Sequence, residues 1–254
     1  MEVKIVKIDN KKRGEHRDIV ADEVPLTIHV NGKELVTFLC SPCDLRELSV
    51  GFLYSSGLIK FMDDIENITI DNQNWISHVA LKNKDDLSRL VFKRLYTSGC
   101  GKGTLFYNSL DFMNKKKTES NFKISQDRIV ELINIFQKGS VTFNQTGGSH
   151  SAALSNGKDI LVFKEDIGRH NAVDKVIGEA LIRNLSMRDS IILSSGRISS
   201  EIIFKVQKSG AAFIISRAAP TNQAIRLARE CNLTLVGFVR GQRMNIYSSP
   251  ERVI

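Results

Sequence analysis

Apolar and polar positions alternate with period two through the first forty residues. In MEVKIVKIDNKKRGEHR apolar and charged residues alternate before the chain turns basic. PLTIHVNGKELVTFL carries two such runs on either side of Asn31-Gly32. Period two turns one face of a strand inward, and Asn-Gly between two runs marks a hairpin. Over 44–60, DLRELSVGFLYSSGLI, the spacing becomes that of a helix, with Asp44 as its cap and Gly57 near its end. Residues 65–98 read as strand-like again. The stretch YTSGCGKGT follows, and then a helix around TLFYNSLDFMNKKK, whose lysines suit a helix C-terminus.

From Ser125 the rhythm changes. SQDRIVELINIFQKG predicts an amphipathic helix capped by Ser125 and stopped at Gly139. VTFNQTGGSHSAALSNGKDILVFKED reads as two strands joined at Asn156-Gly157, with VTFNQT as strand. Helix and strand then alternate: IGRHNAVDKVIGEALIRN, DSIILSS, GRISSEIIFKVQKSG, AAFIIS, PTNQAIRLARECN and a final strand region LTLVGFVRGQRMNIYS. Such alternation predicts an α/β layered sheet. The boundary falls near the KKKTESN stretch, dividing a smaller α+β region, 1–120, from an α/β domain, 121–254.

Composition narrows the class. The chain has 254 residues, 42% hydrophobic and 25% charged, with net charge +8. These are the proportions of a globular protein that favours anionic partners. No apolar run reaches the length of a signal peptide or a membrane span, so a cytoplasmic location is expected. Nucleic-acid binding lacks a recognised reader fold or aromatic stacking motif.

In open α/β sheets, ligand groups gather at the carboxyl ends of strands. The predicted ends here carry Gly147-Gly148-Ser149-His150, then Glu165-Asp166-Ile167-Gly168-Arg169-His170, then Ser194-Ser195-Gly196-Arg197, then Ser216-Arg217, and last Phe238-Val239-Arg240-Gly241-Gln242-Arg243. The second and third loops are expected to open helices, whose free N–H groups favour anions. Arginine binds phosphate in bidentate fashion, so Arg169, Arg197, Arg217, Arg240 and Arg243 point to a large polyanionic ligand. A zinc deaminase reading fails, because His150-Ser151-Ala152 lacks the glutamate and only Cys231 follows. A P-loop reading fails on the order of Lys102 and Thr104. Cys40 and Cys43 form a C-x-x-C with no second pair to complete a zinc site; the plain reading is a half-buried strand end. Cys100 is different. It lies among Gly99, Gly101 and Gly103, beside Lys102 and before a predicted helix, a setting that favours thiolate. Gly103 stands where a C-x-x-C would close, which argues against dithiol exchange. A sulfur carrier needs one thiol only.

The segments DLRELSVGFLYSSGLI, SGCGKG, TGGSHSAAL, EDIGRHNAVDKVIG, SSGRISSEIIFKVQKSG, SRAAPTNQAIRLA and LTLVGFVRGQRMNIY resemble, in order, the formate dehydrogenase accessory sulfurtransferase family. The resemblance implies a homodimer with a cytidine-deaminase-like C-terminal domain that holds no zinc. It implies sulfur taken from a cysteine desulfurase as a persulfide on Cys100. That sulfur passes to the molybdenum (or tungsten) bis-molybdopterin guanine dinucleotide cofactor of formate dehydrogenase. The family's cofactor-binding stretch maps onto Phe238 to Arg243, and the GGSH, DIGRH and SSGR loops onto the edge facing the guanine nucleotide. Many members carry C-G-x-C in the loop, where this chain has Cys100-Gly101-Lys102-Gly103.

Overall fold

The computed structural model describes residues 1–83 and 117–254. Cys100 with its glycines, the strand-like stretch beyond residue 83 and the helix expected around TLFYNSLDFMNKKK lie outside the described residues.

The amino-terminal alternation folds into two hairpins. Strands β1 (Glu2–Asp9) and β2 (Lys12–Ile19) pair antiparallel as a two-stranded sheet. Strands β3 (Val24–Val30) and β4 (Lys33–Cys40) turn at Asn31 and Gly32, both at positive φ, which is the backbone an Asn-Gly hairpin turn demands. With β5 (Ile65–Asp71) and β6 (Ile76–Leu81) they make a four-stranded sheet in the order β4-β3-β6-β5. Leu26, Ile28 and Val30 point inward from β3 and are fully buried. Helix α1 (Leu45–Ser56) covers that face with Val50, Phe52 and Leu53. Gly57, at φ 82, ends the helix as expected.

Residues 117–254 are built on a six-stranded sheet. Helix α2 (Gln126–Lys138) has the predicted caps, the Ser125 hydroxyl accepting from the Arg128 N–H. VTFNQT corrects the sequence reading: it is a short helix, α3 (Val141–Thr146). Its β-branched and aromatic residues resemble a strand, but the Glu165 carboxylate accepts from the Thr142 and Phe143 N–H groups at 2.8 and 3.0 Å and caps a helix there. Strands β7 (His150–Ser155) and β8 (Ile160–Asp166) form the expected hairpin. Then follow helix α4 (Arg169–Ile182), strand β9 (Ile191–Ser194), helix α5 (Ser200–Ser209), strand β10 (Phe213–Ser216), helix α6 (Asn222–Glu230), and strands β11 (Thr234–Arg240) and β12 (Arg243–Ser248). The sheet order is β12-β11-β10-β9-β7-β8. Strands β9, β10 and β11 run parallel in its middle, with antiparallel strands on both flanks.

The middle strands are apolar without alternation because both faces are covered. Ile192, Ile214 and Leu235 pack with α4, α5 and α6 on one side. Ile191, Leu193, Phe213, Ile215 and Val236 pack with α2 on the other. Helices α1 and α4 cross at backbone contact. A Cβ on Gly51 would sit 1.8 Å from the Asp174 carbonyl oxygen, and one on Gly178 would sit 1.9 Å from that of Glu47. This crossing joins the amino-terminal sheet and its helix to the six-stranded sheet.

Candidate functional site

The strand directions bring the predicted loops to one edge of the large sheet. His150 at the start of β7 pairs with Asp166 at the end of β8, and Ala152 pairs with Ser194 at the end of β9. Ser194 in turn pairs with Ser216 at the end of β10. Strand β11 runs parallel to β10, and Arg240 pairs with Arg243 across the Gly241-Gln242 turn. Gly147 to His150 therefore stands beside Asp166 to His170, Ser194 to Arg197, Ser216 and Phe238 to Arg243, although the first of these precedes a strand rather than following one. The Gly168 loop opens α4 directly. Ser194 to Arg197 does not open a helix, a second correction: α5 starts at Ser200, and Ile198 first forms a bridge with Pro220.

Hydroxyls and glycines set the loop shapes. Ser216 Oγ donates to the Gly196 carbonyl at 2.8 Å and accepts from the Ala218 N–H. The Gly196 N–H donates to Ser194 Oγ. A Cβ on Gly196 would meet the Arg169 side chain at 2.8 Å, so the glycine leaves the path along which that arginine lies. Ser149 Oγ donates to Glu165, the same carboxylate that caps α3. The Gln137 side-chain oxygen, in the amide orientation that satisfies both groups, accepts from the Arg217 guanidinium. Phe238 takes φ 54 in an irregular stretch of the β11–β12 ladder, where Gly237 is hemmed in by Ala218, Tyr247 and Pro220. A bulky residue in the left-handed region costs energy and marks a built turn. Arg197, Arg240, Gln242 and Arg243 are exposed along the edge.

Two histidines are held differently. His150 Nδ1 lies 3.3 Å from Ser195 Oγ, which also accepts from the Ser151 N–H and so has its own proton free for the imidazole. Burial holds the His150 pKa below its ordinary value, and Arg169, His170 and Arg197 push the same way. His170 Nε2 is 2.8 Å from Glu201 and 3.2 Å from Ser199 Oγ.

The least visible feature from sequence is a buried polar hub under the edge. Asp166 and Lys175 are both 0% exposed and 2.7 Å apart. Asp166 also accepts from the Ser41 N–H at 3.0 Å, the Gly168 N–H at 2.8 Å and Asn171 Nδ2 at 2.9 Å, so its carboxylate is directed inward. Ser41 Oγ accepts from the Ile167 N–H, and Asn171 Nδ2 donates to the Leu39 carbonyl. The Cys40–Cys43 turn is thereby tied to the start of α4. Cys40 is fully buried rather than half-buried, and burial, with Asp166 adding to it, pushes its thiol up to about 12. Cys43 is exposed as a residue, but its sulfur lies 3.9 Å from the fully buried Lys175 Nζ; desolvation on that side raises its pKa against the lowering by that ammonium. Asn171, Asp174 and Lys175 share one helical face, and three polar residues on a face that must be covered are the signal that could have exposed the hub. Cys231, placed in a helix by sequence, is buried just after α6.

Comparison with known proteins agrees with this architecture. The family model described as FdhD/NarQ family matches residues 21–254. The chain is 43% identical over 237 residues to the sulfur carrier protein FdhD of Bacillus subtilis, covering 93% of this chain and 90% of that protein. It is 42% identical over 252 residues to the protein of the same name from Staphylococcus aureus strain MRSA252, covering 98% and 95%. A solved structure from Desulfotalea psychrophila, assigned as a formate dehydrogenase accessory protein, superposes with TM-score 0.80 at 28% identity. It covers 100% of this chain and 99% of that one. On the family model, the relatives and the shared fold, the chain belongs to the FdhD/NarQ family.

Proposed function

We propose that this protein is a sulfur carrier that serves formate dehydrogenase, taking sulfur from a cysteine desulfurase as a persulfide on Cys100. The acceptor is the molybdenum (or tungsten) bis-molybdopterin guanine dinucleotide cofactor, bound as substrate along the sheet edge. The observation that carries this reading is the convergence of Arg169, Arg197, Arg217, Arg240 and Arg243 on one edge of a family member whose relatives are named sulfur carriers. Guanidinium groups suit the pyrophosphates of such a ligand, and Gly147, with open space where a Cβ would sit, allows close backbone approach. In the loading step the Cys100 thiolate attacks the terminal sulfur of the desulfurase persulfide. One S–S bond forms as another breaks, and the desulfurase cysteine leaves as thiolate. We read 1–120 and 121–254 as two domains, the second cytidine-deaminase-like, in a cytoplasmic homodimer. No helix among the described residues is long and apolar enough to cross a membrane.

Intact mass after incubation with a cysteine desulfurase and cysteine tests the reading. A reductant-labile gain of one sulfur atom is expected in the wild type and not in Cys100→Ala. No gain in either protein would overturn it and favour a second reading, which Gly103 motivates: a chaperone that holds the cofactor without sulfur chemistry. In that case Arg240→Ala and Arg243→Ala lose cofactor retention while Cys100→Ala keeps it.

The edge electrostatics make a separate prediction. His150 is expected to titrate below its ordinary value of 6.5 in the free protein. Because the unfolded chain then binds the proton more readily, this residue costs stability as pH falls through that value. Guanosine diphosphate bound beside Arg169 and Arg197 would offset their charge and move the titration upward, as read from the imidazole NMR signals. A titration point that stays put in saturating nucleotide would remove the ligand from this edge.

A further inference from the structure

The outer face of the four-stranded sheet carries two histidines side by side. His29 on β3 and His78 on β6 are direct partners in the parallel register, so both imidazoles leave the same face. Leu26, Ile28 and Val30 on β3, with Ser77, Val79 and Leu81 on β6, take the buried positions opposite. The row continues with Glu34 of β4 beside His29 and Thr69 of β5 beside His78. The ring centroids lie 5.5 Å apart with planes at 74°. Among the described residues neither imidazole hydrogen-bonds to a protein group. Both line a cleft of about 430 Å³ together with Asn31, Glu66, Asn67 and Thr69.

We propose that His29 and His78 form a two-imidazole chelate for a divalent transition cation of the nickel, copper or zinc class. Imidazole is a favoured ligand for these ions. An ion about 2.1 Å from a ring nitrogen lies about 3.2 Å from that ring's centroid, and two rings on a tetrahedral ion then stand about 5.2 Å apart. The observed 5.5 Å fits with a small side-chain adjustment. Two carboxylates border the pair in a chain of net charge +8, Glu34 across the β3–β4 pairing and Glu66 in the same cleft. Among the described residues no group of three or more His, Cys, Asp or Glu is already arranged for a metal. The two rings are the anchor, and water or a rotated carboxylate completes the coordination. An ion held there bridges β3 to β6 and stabilises the folded chain by linkage.

Nickel ion titrated into the full-length, chelator-treated protein is the test, read by calorimetry and by the unfolding temperature. One saturable nickel per chain and a raised unfolding temperature are expected at pH 7.5. Both are lost at pH 5, where imidazoles protonate, and both are lost in His29→Asn and His78→Asn. The control His16→Asn, on β2, keeps them. The outward position of both rings lets the two variants fold, which their unfolding temperatures without nickel verify. Unchanged nickel binding in both variants would assign the ion to thiols or other histidines and overturn the proposal, as would no saturable binding in the wild type.

Discussion

Replacing Lys175 with methionine is expected to destabilise the folded chain by about 3–5 kcal/mol, the cost of leaving a buried carboxylate without its cation. Lys175 and Asp166 are both 0% exposed, and methionine fills the volume of the lysine stem without its charge. Asp166 would keep its hydrogen bonds from Ser41, Gly168 and Asn171, which places the loss toward the lower end of that range. Urea unfolding supplies the measurement. A loss below about 1 kcal/mol would show that the pair does not hold the edge together.

The second large effect concerns the α1–α4 crossing. Gly178→Ala puts a methyl group 1.9 Å from the Glu47 carbonyl oxygen, and Gly51→Ala puts one 1.8 Å from that of Asp174. The obstacle in each case is helix backbone, which cannot rotate away as a side chain can. Overpacking commonly costs 1–3 kcal/mol, and a backbone clash on both sides of one crossing belongs at about 3 kcal/mol or above. For a chain of this size that corresponds to a fall of about 6–12 °C in the unfolding temperature. Gly14→Ala, whose added Cβ would meet only the His16 side chain at 3.4 Å, is the control and should change little. A thermal scan in which all three variants unfold together would show that the helices separate without cost. The crossing matters beyond stability. Asp174, on the contacting stretch of α4, accepts from Ser55 of α1 and from Lys205 of α5. Widening the crossing would disturb the helix that carries Arg169 and His170.

Sequence alone determined the elements whose signals are local. The apolar runs of β9, β10 and β11 read as buried strands because both of their faces are covered. Asn31-Gly32 read as a turn because two successive positive φ angles suit those residues. Ser125 and Gly139 bounded α2 because a hydroxyl satisfies a free N–H within three residues. Four of the five edge loops were also legible, since alternating strands and helices place successive strand ends together; Gly147 to His150, read as following a strand, reaches the edge as the entry to β7. Only the tertiary structure decided the rest, and the reason is distance along the chain. The carboxylate that makes Val141–Thr146 helical comes from Glu165, 23 residues away from Thr142. Asp166 finds Ser41 across 125 residues, so the Cys40–Cys43 turn reads as an isolated strand end until the fold joins it to α4. Gly51 and Gly178 look like weak points of two helices until the helices cross. His29 and His78 become neighbours only through a parallel strand pairing that neither local sequence encodes. Local propensity specifies which elements form; the partners that satisfy buried charge and close backbone contact are set by packing between distant segments.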